Sequence, residues 1–393
     1  MAHILIAYKQ FPAPSVGHAG GESLFRLMAA LRRRGHRLVL VARIADDELP
    51  HLPILEDLCE RVYTVPHHRS LPGPRVLAFL RSYLALRRAI RGALAAEQPD
   101  FLHVETTQTA VAALGLHRPP TSYRTQDVNW HLMEQSVARL SGPRRWFAQL
   151  KRALFRWLEP WICDRYDLAL AISEGDRQLL APACTRPLGL LPLTPAVNLD
   201  VDTPPAVPGE ANLVFVGAMA RDPNLNGMAW FLDEAWPQIS EACPSARLYI
   251  VGGGPPDWLR ARADDDRVFV TGFVDDVGPW YRAATVFISP LLVAGGLLQK
   301  VVDAMAMGVP IVATSVCNHG VGATPGTHLI TADDPAAFAA AVIELLGDPE
   351  RRRQLAAAAR AFVLSHYDLE TAVDRWEAAI LGTISDSANG GES

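Results

Sequence analysis

A glycine pair followed by two charged residues marks the stretch of this sequence with the clearest potential for chemistry. Residues 290–310 read PLLVAGGLLQKVVDAMAMGVP, in which Gly295 and Gly296 precede an apolar run that contains Lys300 and Asp303. The pattern predicts a strand, a glycine turn, and a helix that a later glycine ends before the next strand begins. Glycine lets a ligand approach the backbone, and the amino end of a helix carries a partial positive charge. The segment therefore predicts a site for an anion such as phosphate.

Lys300 and Asp303 are three residues apart, so a helix places them on one face. The ammonium group suits phosphate or sugar oxygens, and the carboxylate suits ribose hydroxyls. The alternative is an ordinary helix of a parallel sheet with a solvated Lys–Asp pair, because a glycine pair before a helix is common. The pattern by itself leaves both interpretations open.

Residues 300–314, KVVDAMAMGVPIVAT, resemble the donor-site signature of the retaining glycosyltransferase family 4. The version in bacterial exopolysaccharide-cluster transferases is the most similar. The resemblance implies the GT-B fold, an α/β architecture of two Rossmann-like, doubly wound domains that face a central cleft. It also implies transfer of a hexose from a nucleoside-diphosphate sugar, UDP- or GDP-linked, to an acceptor hydroxyl with retention of configuration. Two positions depart from the family: Asp303 replaces a glutamate, and Gly295 stands where many members have their first motif glutamate.

The segment after the strand Leu213–Gly217 is also similar to the family's donor site. Many relatives place an arginine directly after this glycine and a lysine before the next helix. Ala218 and Asn226 occupy those two positions, which leaves Arg221 as the nearest cation. We therefore expect Lys300 and Arg221 to be the catalytic cations. They would meet the charge of the leaving diphosphate together with the helix amino terminus predicted at 296–298.

Two further glycine turns complete the donor site that the resemblance implies. One ends the strand Arg247–Gly253, and the other follows Val268–Gly272, where the family's backbone reads the nucleobase edge. A purely structural turn is the alternative at both places. The expected donor-binding residues are Gly217, Gly253, Gly272, Phe273, Val274, Gly295, Gly296, Leu297, Leu298 and Asp303.

The amino-terminal half opens as a strand, a glycine-containing loop and a helix from about Glu22, but it lacks the GxGxxG of a dinucleotide site. In the family, this loop and a later strand end face the cleft on the acceptor side. The resemblance therefore assigns Gly20, Gly21, Arg124, Gln126 and Asp127 to the acceptor side. Gln126 replaces a family histidine, so an amide that only forms hydrogen bonds stands where a proton carrier is usual. The alternatives are a flexible turn and a polar strand end that caps the next helix.

Residues 130–164 have a helical pattern, broken near 141–143, that mixes basic residues with large aromatic ones. Such a helix can lie on an anionic membrane surface, where a lipid-linked acceptor would be found. We therefore expect a peripheral membrane contact through 143–161, with aromatic side chains that pack inward as the alternative.

The chain as a whole has 393 residues, 49% of them hydrophobic and 20% charged, which favours two domains. A net charge of −5 gives no general attraction to nucleic acid, and the five scattered cysteines favour a reducing cytoplasm. No stretch has the length of a signal peptide or membrane span. The expected organisation is a first domain at 1–195, a proline-rich linker at 196–210, a second domain at 211–368, a helix at 369–385 that crosses back, and a disordered tail at 386–393.

No cofactor and no metal are expected. The sequence Asp200-Val201-Asp202 matches a metal-binding motif of another transferase architecture, but it lies in the proline-rich connector and is interpreted as a chance match. Two other functions remain open besides sugar transfer to a saccharide, lipid-linked or small-molecule acceptor. One is a catalytically silent nucleotide-sugar binder or partner subunit, suggested by Gly295, Ala218, Asn226 and Gln126. The other is a sugar-nucleotide 2-epimerase, whose carboxylate and histidine set is not evident.

Overall fold

A computed structural model describes residues 1–14, 19–71, 74–137, 141–197, 199, 204–264 and 266–390. The chain divides into two compact units. The first contains Met1–Leu193 and Leu369–Ser393, and the second contains Thr194–Asp368. The proline-rich segment predicted as a linker thus falls within the second unit, where the amide of Ala206 donates to the carbonyl of Pro279 at 2.9 Å. The motif at 200–202 lies outside the described residues.

The first unit is built on a seven-stranded parallel sheet with the order β3-β2-β1-β4-β5-β6-β7. Its strands are β1 (His3–Tyr8), β2 (Arg37–Ile44), β3 (Arg61–Pro66), β4 (Phe101–Glu105), β5 (Thr121–Thr125), β6 (Leu168–Ala171) and β7 (Leu188–Leu190). Its helices are α1 (Ala19–Arg33), α2 (Leu52–Leu58), α3 (Arg75–Glu97), α4 (Thr107–Ala113), α5 (Asn129–Val137), α6 (Gly142–Cys163) and α7 (Glu174–Leu180).

Both faces of this sheet are buried, which explains why β1 is apolar throughout. Ile4 and Ile6 belong to one hydrophobic cluster, together with residues of α1, whereas Leu5 and Ala7 belong to a second cluster with residues of α3 and α4. The strand order reverses between β1 and β4, and ligands of doubly wound sheets bind at the carboxyl ends of the strands at such a point.

The second unit repeats this plan with a six-stranded parallel sheet of order β10-β9-β8-β11-β12-β13. Its strands are β8 (Asn212–Val216), β9 (Arg247–Val251), β10 (Val268–Gly272), β11 (Val286–Ser289), β12 (Ile311–Ala313) and β13 (Ile330–Thr331). Its helices are α8 (Asp222–Trp230), α9 (Trp236–Ala242), α10 (Asp257–Arg260), α11 (Gly278–Ala283), α12 (Gln299–Ala306), α13 (Ser315–Asn318), α14 (Pro335–Gly347) and α15 (Pro349–His366). Here the order reverses between β8 and β11. The predicted fold class, two doubly wound α/β units, is confirmed.

The last helix, α16 (Leu369–Gly390), packs on the first unit. Its buried Trp376 lies in the same hydrophobic cluster as β1, and its ring centroid is 4.6 Å from that of His103. Arg34 pairs with Glu377 at 2.8 Å and with Glu370 at 2.7 Å. The helix continues through 386–390, so that part of the expected disordered tail is helical, and 391–393 lie outside the described residues.

Candidate functional site

Three loops meet at the carboxyl ends of β8, β9 and β10 in the second unit. The amide of Gly252 donates to the carbonyl of Gly272 at 3.0 Å, and the amide of Met219 donates to the carbonyl of Gly253 at 2.8 Å. A β-carbon added at Gly252 would come within 1.9 Å of the carbonyl oxygen of Gly217. The structure thus brings together the predicted residues Gly217, Gly253 and Gly272, and only glycine allows the close approach at 252.

Lys300 projects from α12 to this edge of the sheet. Its Nζ donates a hydrogen bond of 2.8 Å to Oδ1 of Asn224 in α8, and lies 4.1 Å from the centre of the Phe215 ring at the end of β8. A β-carbon at Gly217 would come within 2.6 Å of this Nζ. The ammonium group is therefore held between β8, α8 and α12, in space that the missing side chain of Gly217 leaves.

The surroundings of Lys300 lower its pKa. Burial lowers the pKa of Lys300 to about 7, and the positive charge of Arg221 acts in the same direction, while Cys317 opposes both. Cys317 is buried beneath the site, and desolvation raises the pKa of its thiol. An anion next to Lys300 would favour the charged ammonium, so the site gains charge when an anion binds.

The helix that carries Lys300 begins later than the sequence suggests. Helix α12 starts at Gln299 with Leu298 as its N-cap residue, so the predicted amino terminus at 296–298 is wrong. Gly295, Gly296 and Leu297 belong to the preceding loop. Gly296 has a φ of 59°, a conformation that favours glycine. It also packs closely on Gly320, because a β-carbon added at Gly320 would lie 1.7 Å from the carbonyl oxygen of Gly296. The residues between β11 and α12 therefore form a loop, and Gly296 lies in that loop rather than in the first turn of the helix.

Asp303 is buried and already accepts hydrogen bonds from its own unit. Its Oδ1 accepts from the amide of Ala196 at 2.6 Å and from Nε2 of Gln299 at 2.8 Å. Gln299 also donates to the carbonyl of Thr194 at 2.9 Å. Oδ1 of Asp303 thus links the first residues of this unit, near Ala196, to α12. The sequence pattern did not indicate this structural role.

The remaining donor-side residues lie at the surface. Arg221 is exposed and is the N-cap residue of α8. Phe273 is exposed and Val274 is half-buried, directly after the left-handed Gly272 at the end of β10. Both residues can therefore be reached from solvent at this strand end.

A buried ionic network occupies the equivalent edge of the first sheet. The strand register places Glu105 of β4 beside Tyr8 of β1 and Arg124 of β5. Oε1 of Glu105 accepts from Nε of Arg124 at 2.7 Å and lies 2.9 Å from Nε2 of His103. All three side chains of this ionic group, Glu105, Arg124 and His103, are fully buried. Arg124 therefore lies beneath the surface, so the expected direct contact with an acceptor does not match its position.

Gln126 connects this network to the surface. Its Nε2 donates to Oε2 of Glu105 at 3.1 Å, and Tyr8 donates to its Oε1 at 3.5 Å. A β-carbon at Gly20 would come within 2.5 Å of the same Oε1. Gly20 and Gly21 lie in the first turn of α1 rather than in a loop, because the helix starts at Ala19 instead of Glu22. The structure thus brings Gly20 and Gln126 together, while Asp127 is exposed beside them.

The pKa values in this network follow from burial and charge. Burial alone raises the pKa of Glu105, but Arg124 and His103 together outweigh it and hold that pKa below its usual value. Burial and the Glu105 charge raise the pKa of Tyr8. Glu105 is therefore a carboxylate and Tyr8 a neutral hydroxyl at neutral pH. The single hydroxyl proton of Tyr8 is shared between Oε1 of Gln10 at 3.0 Å and Oε1 of Gln126 at 3.5 Å.

Two residues of these sites were not predicted. Glu105 ends the apolar strand FLHVE, and an ionisable side chain at the carboxyl end of a central strand is a usable signal. Asn224 has no comparable signal, because its contact with Lys300 joins residues 76 positions apart.

Two family profiles match this chain. The profile described as glycosyl transferase 4-like domain matches residues 20–185, and the one described as glycosyl transferases group 1 matches residues 210–348. Each match lies within one of the two units; the first contains Glu105, Arg124 and Gln126, and the second contains Gly217, Asn224 and Lys300.

The first curated relatives match about two fifths of the chain, whereas solved structures superimpose on nearly all of it. A phosphatidyl-myo-inositol mannosyltransferase of Mycobacterium leprae is 33% identical over 177 residues, which is 42% of this chain and 46% of that protein. The chain spans less than half of the length of the first curated relatives it matches. Sucrose-phosphate synthase of Thermosynechococcus elongatus superimposes with a TM-score of 0.77 at 18% identity, over 98% of this chain and 100% of that one. Anabaena HepE, solved with UDP-glucose, gives 0.68 at 16% identity, over 98% and 100%.

Proposed function

Because the chain belongs to the glycosyltransferase family that these two profiles describe and has the GT-B fold, we propose that it transfers a hexose from a nucleoside-diphosphate sugar to an acceptor hydroxyl. The donor would bind the second unit at the carboxyl ends of β8 to β11. The acceptor would bind the first unit near Gln126. The donor is a UDP- or GDP-linked sugar, and the acceptor is a saccharide, a lipid-linked saccharide or a small molecule.

The proposed reaction breaks the bond between the anomeric carbon and the diphosphate oxygen, and forms a bond between that carbon and the acceptor oxygen. The acceptor hydroxyl gives its proton to a leaving phosphate oxygen, so attack occurs on the face that the diphosphate leaves, and the anomeric configuration is retained. Glu105 is not available as a nucleophile, since it is fully buried and ion-paired with Arg124. The proposal assigns no step to a metal ion.

The observation that carries this proposal is the position of Lys300. A half-buried ammonium group at the reversal point of the second sheet, held by Asn224 and next to three glycine-rich loops, suits the two negative charges of a diphosphate. Partial burial strengthens its attraction to an anion, because less water screens the charge. Arg221 at the exposed start of α8 would add a second cation as charge develops on the leaving group.

The test is a screen of UDP- and GDP-sugars for thermal stabilisation and for hydrolysis, with wild type and Lys300→Ala. We expect one donor to raise the melting temperature of wild type and to lose most of that effect with Lys300→Ala. Lys151→Ala is the matched control, because Lys151 is an exposed lysine of α6 and its loss should leave donor binding unchanged. Equal stabilisation of wild type and Lys300→Ala would show that the phosphate contact is assigned wrongly.

Catalysis is tested separately from binding. Donor binding without turnover, across a broad panel of acceptors, would favour the silent binder over the transferase. Transfer with retained configuration, read from the anomeric coupling in the proton NMR spectrum of the product, would establish the proposed reaction.

A further inference from the structure

Helix α6 presents a row of large apolar side chains to solvent. The alternative that the aromatic residues of this segment pack inward is wrong for the residues of this row. Five of them are more than half exposed: Trp146 at 67%, Phe147 at 58%, Leu150 at 54%, Leu154 at 53% and Trp157 at 62%. Contiguous apolar surface of this kind is uncommon on monomeric proteins and marks a place where another surface binds. We call these five residues the α6 stripe.

The α6 stripe lies along one side of the helix. With 3.6 residues per turn, its members fall within an arc of about 100°. The opposite side holds the helix on the first unit, where α6 packs on α5 and its carboxyl-terminal residues Ile162 and Cys163 are buried in the core. The fold thus anchors α6 by one side and leaves the stripe facing outward.

The helix that carries the α6 stripe is rich in basic residues, of which Arg144 and Lys151 lie next to the stripe. Residues 142–158 contain five basic side chains, at Arg144, Arg145, Lys151, Arg152 and Arg156, and no acidic one. Lys151 lies 6.0 Å from the Phe147 ring of the stripe, whereas Arg152 and Arg156 face α5, where Arg152 pairs with Glu134 at 2.6 Å and Arg156 lies 5.5 Å from the Trp130 ring. The first acidic residue of the helix, Glu159, is buried and accepts hydrogen bonds from Asn129. The solvent-facing part of α6 is therefore cationic and apolar together.

We propose that the α6 stripe binds the surface of an anionic membrane, with α6 lying parallel to the bilayer plane. Tryptophan and arginine suit that interface, because indole rings sit at the head-group level and guanidinium groups bind lipid phosphates. A second copy of the chain fits less well, since two such helices would bring the exposed cations Arg144, Arg145 and Lys151 together with no exposed acidic residue of α6 to offset them. No helix in the described part of the chain is long and apolar enough to cross a membrane.

This contact is independent of the donor site in the second unit. It would bring the first unit, which carries Gln126, to the place where a lipid-linked acceptor is embedded. Membrane binding is measured without any sugar donor, so failure of the membrane proposal and failure of the proposed transfer reaction are separate results.

The experiment is co-sedimentation of the full chain with vesicles of phosphatidylcholine, with and without phosphatidylglycerol. We expect wild type to bind only the anionic vesicles and to dissociate as salt is raised. The triple variant Trp146→Ser/Leu150→Ser/Leu154→Ser should reduce binding more than tenfold. It should keep its melting temperature, because the three side chains are more than half exposed.

A charge test uses a second pair of variants with equal net charge. Arg144→Gln/Arg145→Gln should weaken vesicle binding several-fold, whereas Arg88→Gln/Arg91→Gln, two exposed arginines of α3, should not. Three outcomes would overturn the proposal: no binding of wild type to anionic vesicles, equal binding of wild type and the triple variant, or a wild-type dimer in analytical ultracentrifugation that the triple variant dissociates.

Discussion

The ammonium group of Lys300 donates a 2.8 Å hydrogen bond to the side-chain oxygen of Asn224, which joins α12 to the start of α8. Both helices begin at the carboxyl edge of the second sheet, on either side of its reversal point. Asn224 is itself fixed, because its Nδ2 donates to the carbonyl of Ala218 at 2.8 Å. The position of the cation is therefore set by a short chain of hydrogen bonds rather than by the helix alone.

Asn224→Ala should weaken donor binding about tenfold, or about 1.4 kcal/mol, because it removes the acceptor that orients Lys300. Isothermal titration calorimetry with the donor found in the screen measures the effect. Gln238→Ala is the control, since Gln238 is an exposed amide of α9 in the same unit and is not part of the proposed site. Equal losses for the two variants would mean that the contact with Lys300 does not matter for binding.

Donor affinity should fall as the pH rises above about 7. Burial lowers the pKa of Lys300 from 10.5 to about 7, so the free site loses its ammonium charge above that pH. A bound diphosphate favours the charged form and raises this pKa, so binding above pH 7 takes up a proton. The affinity should then drop by up to about tenfold per pH unit. Calorimetry between pH 6 and 9 measures the slope, and Lys300→Met should bind weakly with no such slope.

Gly217→Ala should impair donor binding without unfolding the second unit. The added methyl group would lie 2.6 Å from Nζ of Lys300, and a flexible lysine moves away more easily than backbone does. We expect a donor affinity at least several-fold weaker and a melting temperature close to that of wild type. Gly347→Ala is the matched control, because no atom lies within 4 Å of a β-carbon at that position. A normal donor affinity for Gly217→Ala would show that Lys300 can move away from the added methyl group and still bind the donor.

The alternation of apolar strands with helices was enough to predict most of the fold from the sequence. Strands such as His3–Tyr8 and Phe101–Glu105 stand out in the sequence, because runs buried on both faces are mostly apolar. Helix starts were less certain. The helix that carries Lys300 was expected to begin at 296–298, but it begins at Gln299. Gly296 instead adopts a left-handed conformation and packs on Gly320, a residue 24 positions away.

Side-chain partners were the part of the site that the sequence could not provide. A pattern places Lys300 and Asp303 on one helix, but it does not show that Lys300 binds Asn224 or that Asp303 accepts from the amide of Ala196. Arg124 illustrates the same limit. A polar strand end indicates exposure, yet Glu105 from the neighbouring strand neutralises Arg124 and allows full burial.

Glu105→Gln should destabilise the first unit by about 3–5 kcal/mol, because it leaves the buried guanidinium of Arg124 without its counter-charge. The glutamine has nearly the same shape, so the loss reports charge rather than packing. Urea unfolding followed by circular dichroism measures it. Glu60→Gln is the control, since Glu60 pairs with an exposed Arg37 and exposed pairs contribute little. A loss no larger than that of the control would mean that the buried network is not charged in the native protein.

The pH dependence of stability gives the same network a second test. The native pKa of Glu105 is below its usual value, so its stabilising contribution is complete above about pH 4.5 and disappears as the pH falls through the native pKa. Wild type should therefore lose stability in acid more steeply than Glu105→Gln, which has no carboxylate to protonate at this position. Parallel curves for the two proteins would contradict the assignment of Glu105 as the counter-charge of Arg124. If the curves do converge in acid, Gln126 should also lose its fixed orientation there, because Glu105 accepts its amide hydrogen at 3.1 Å.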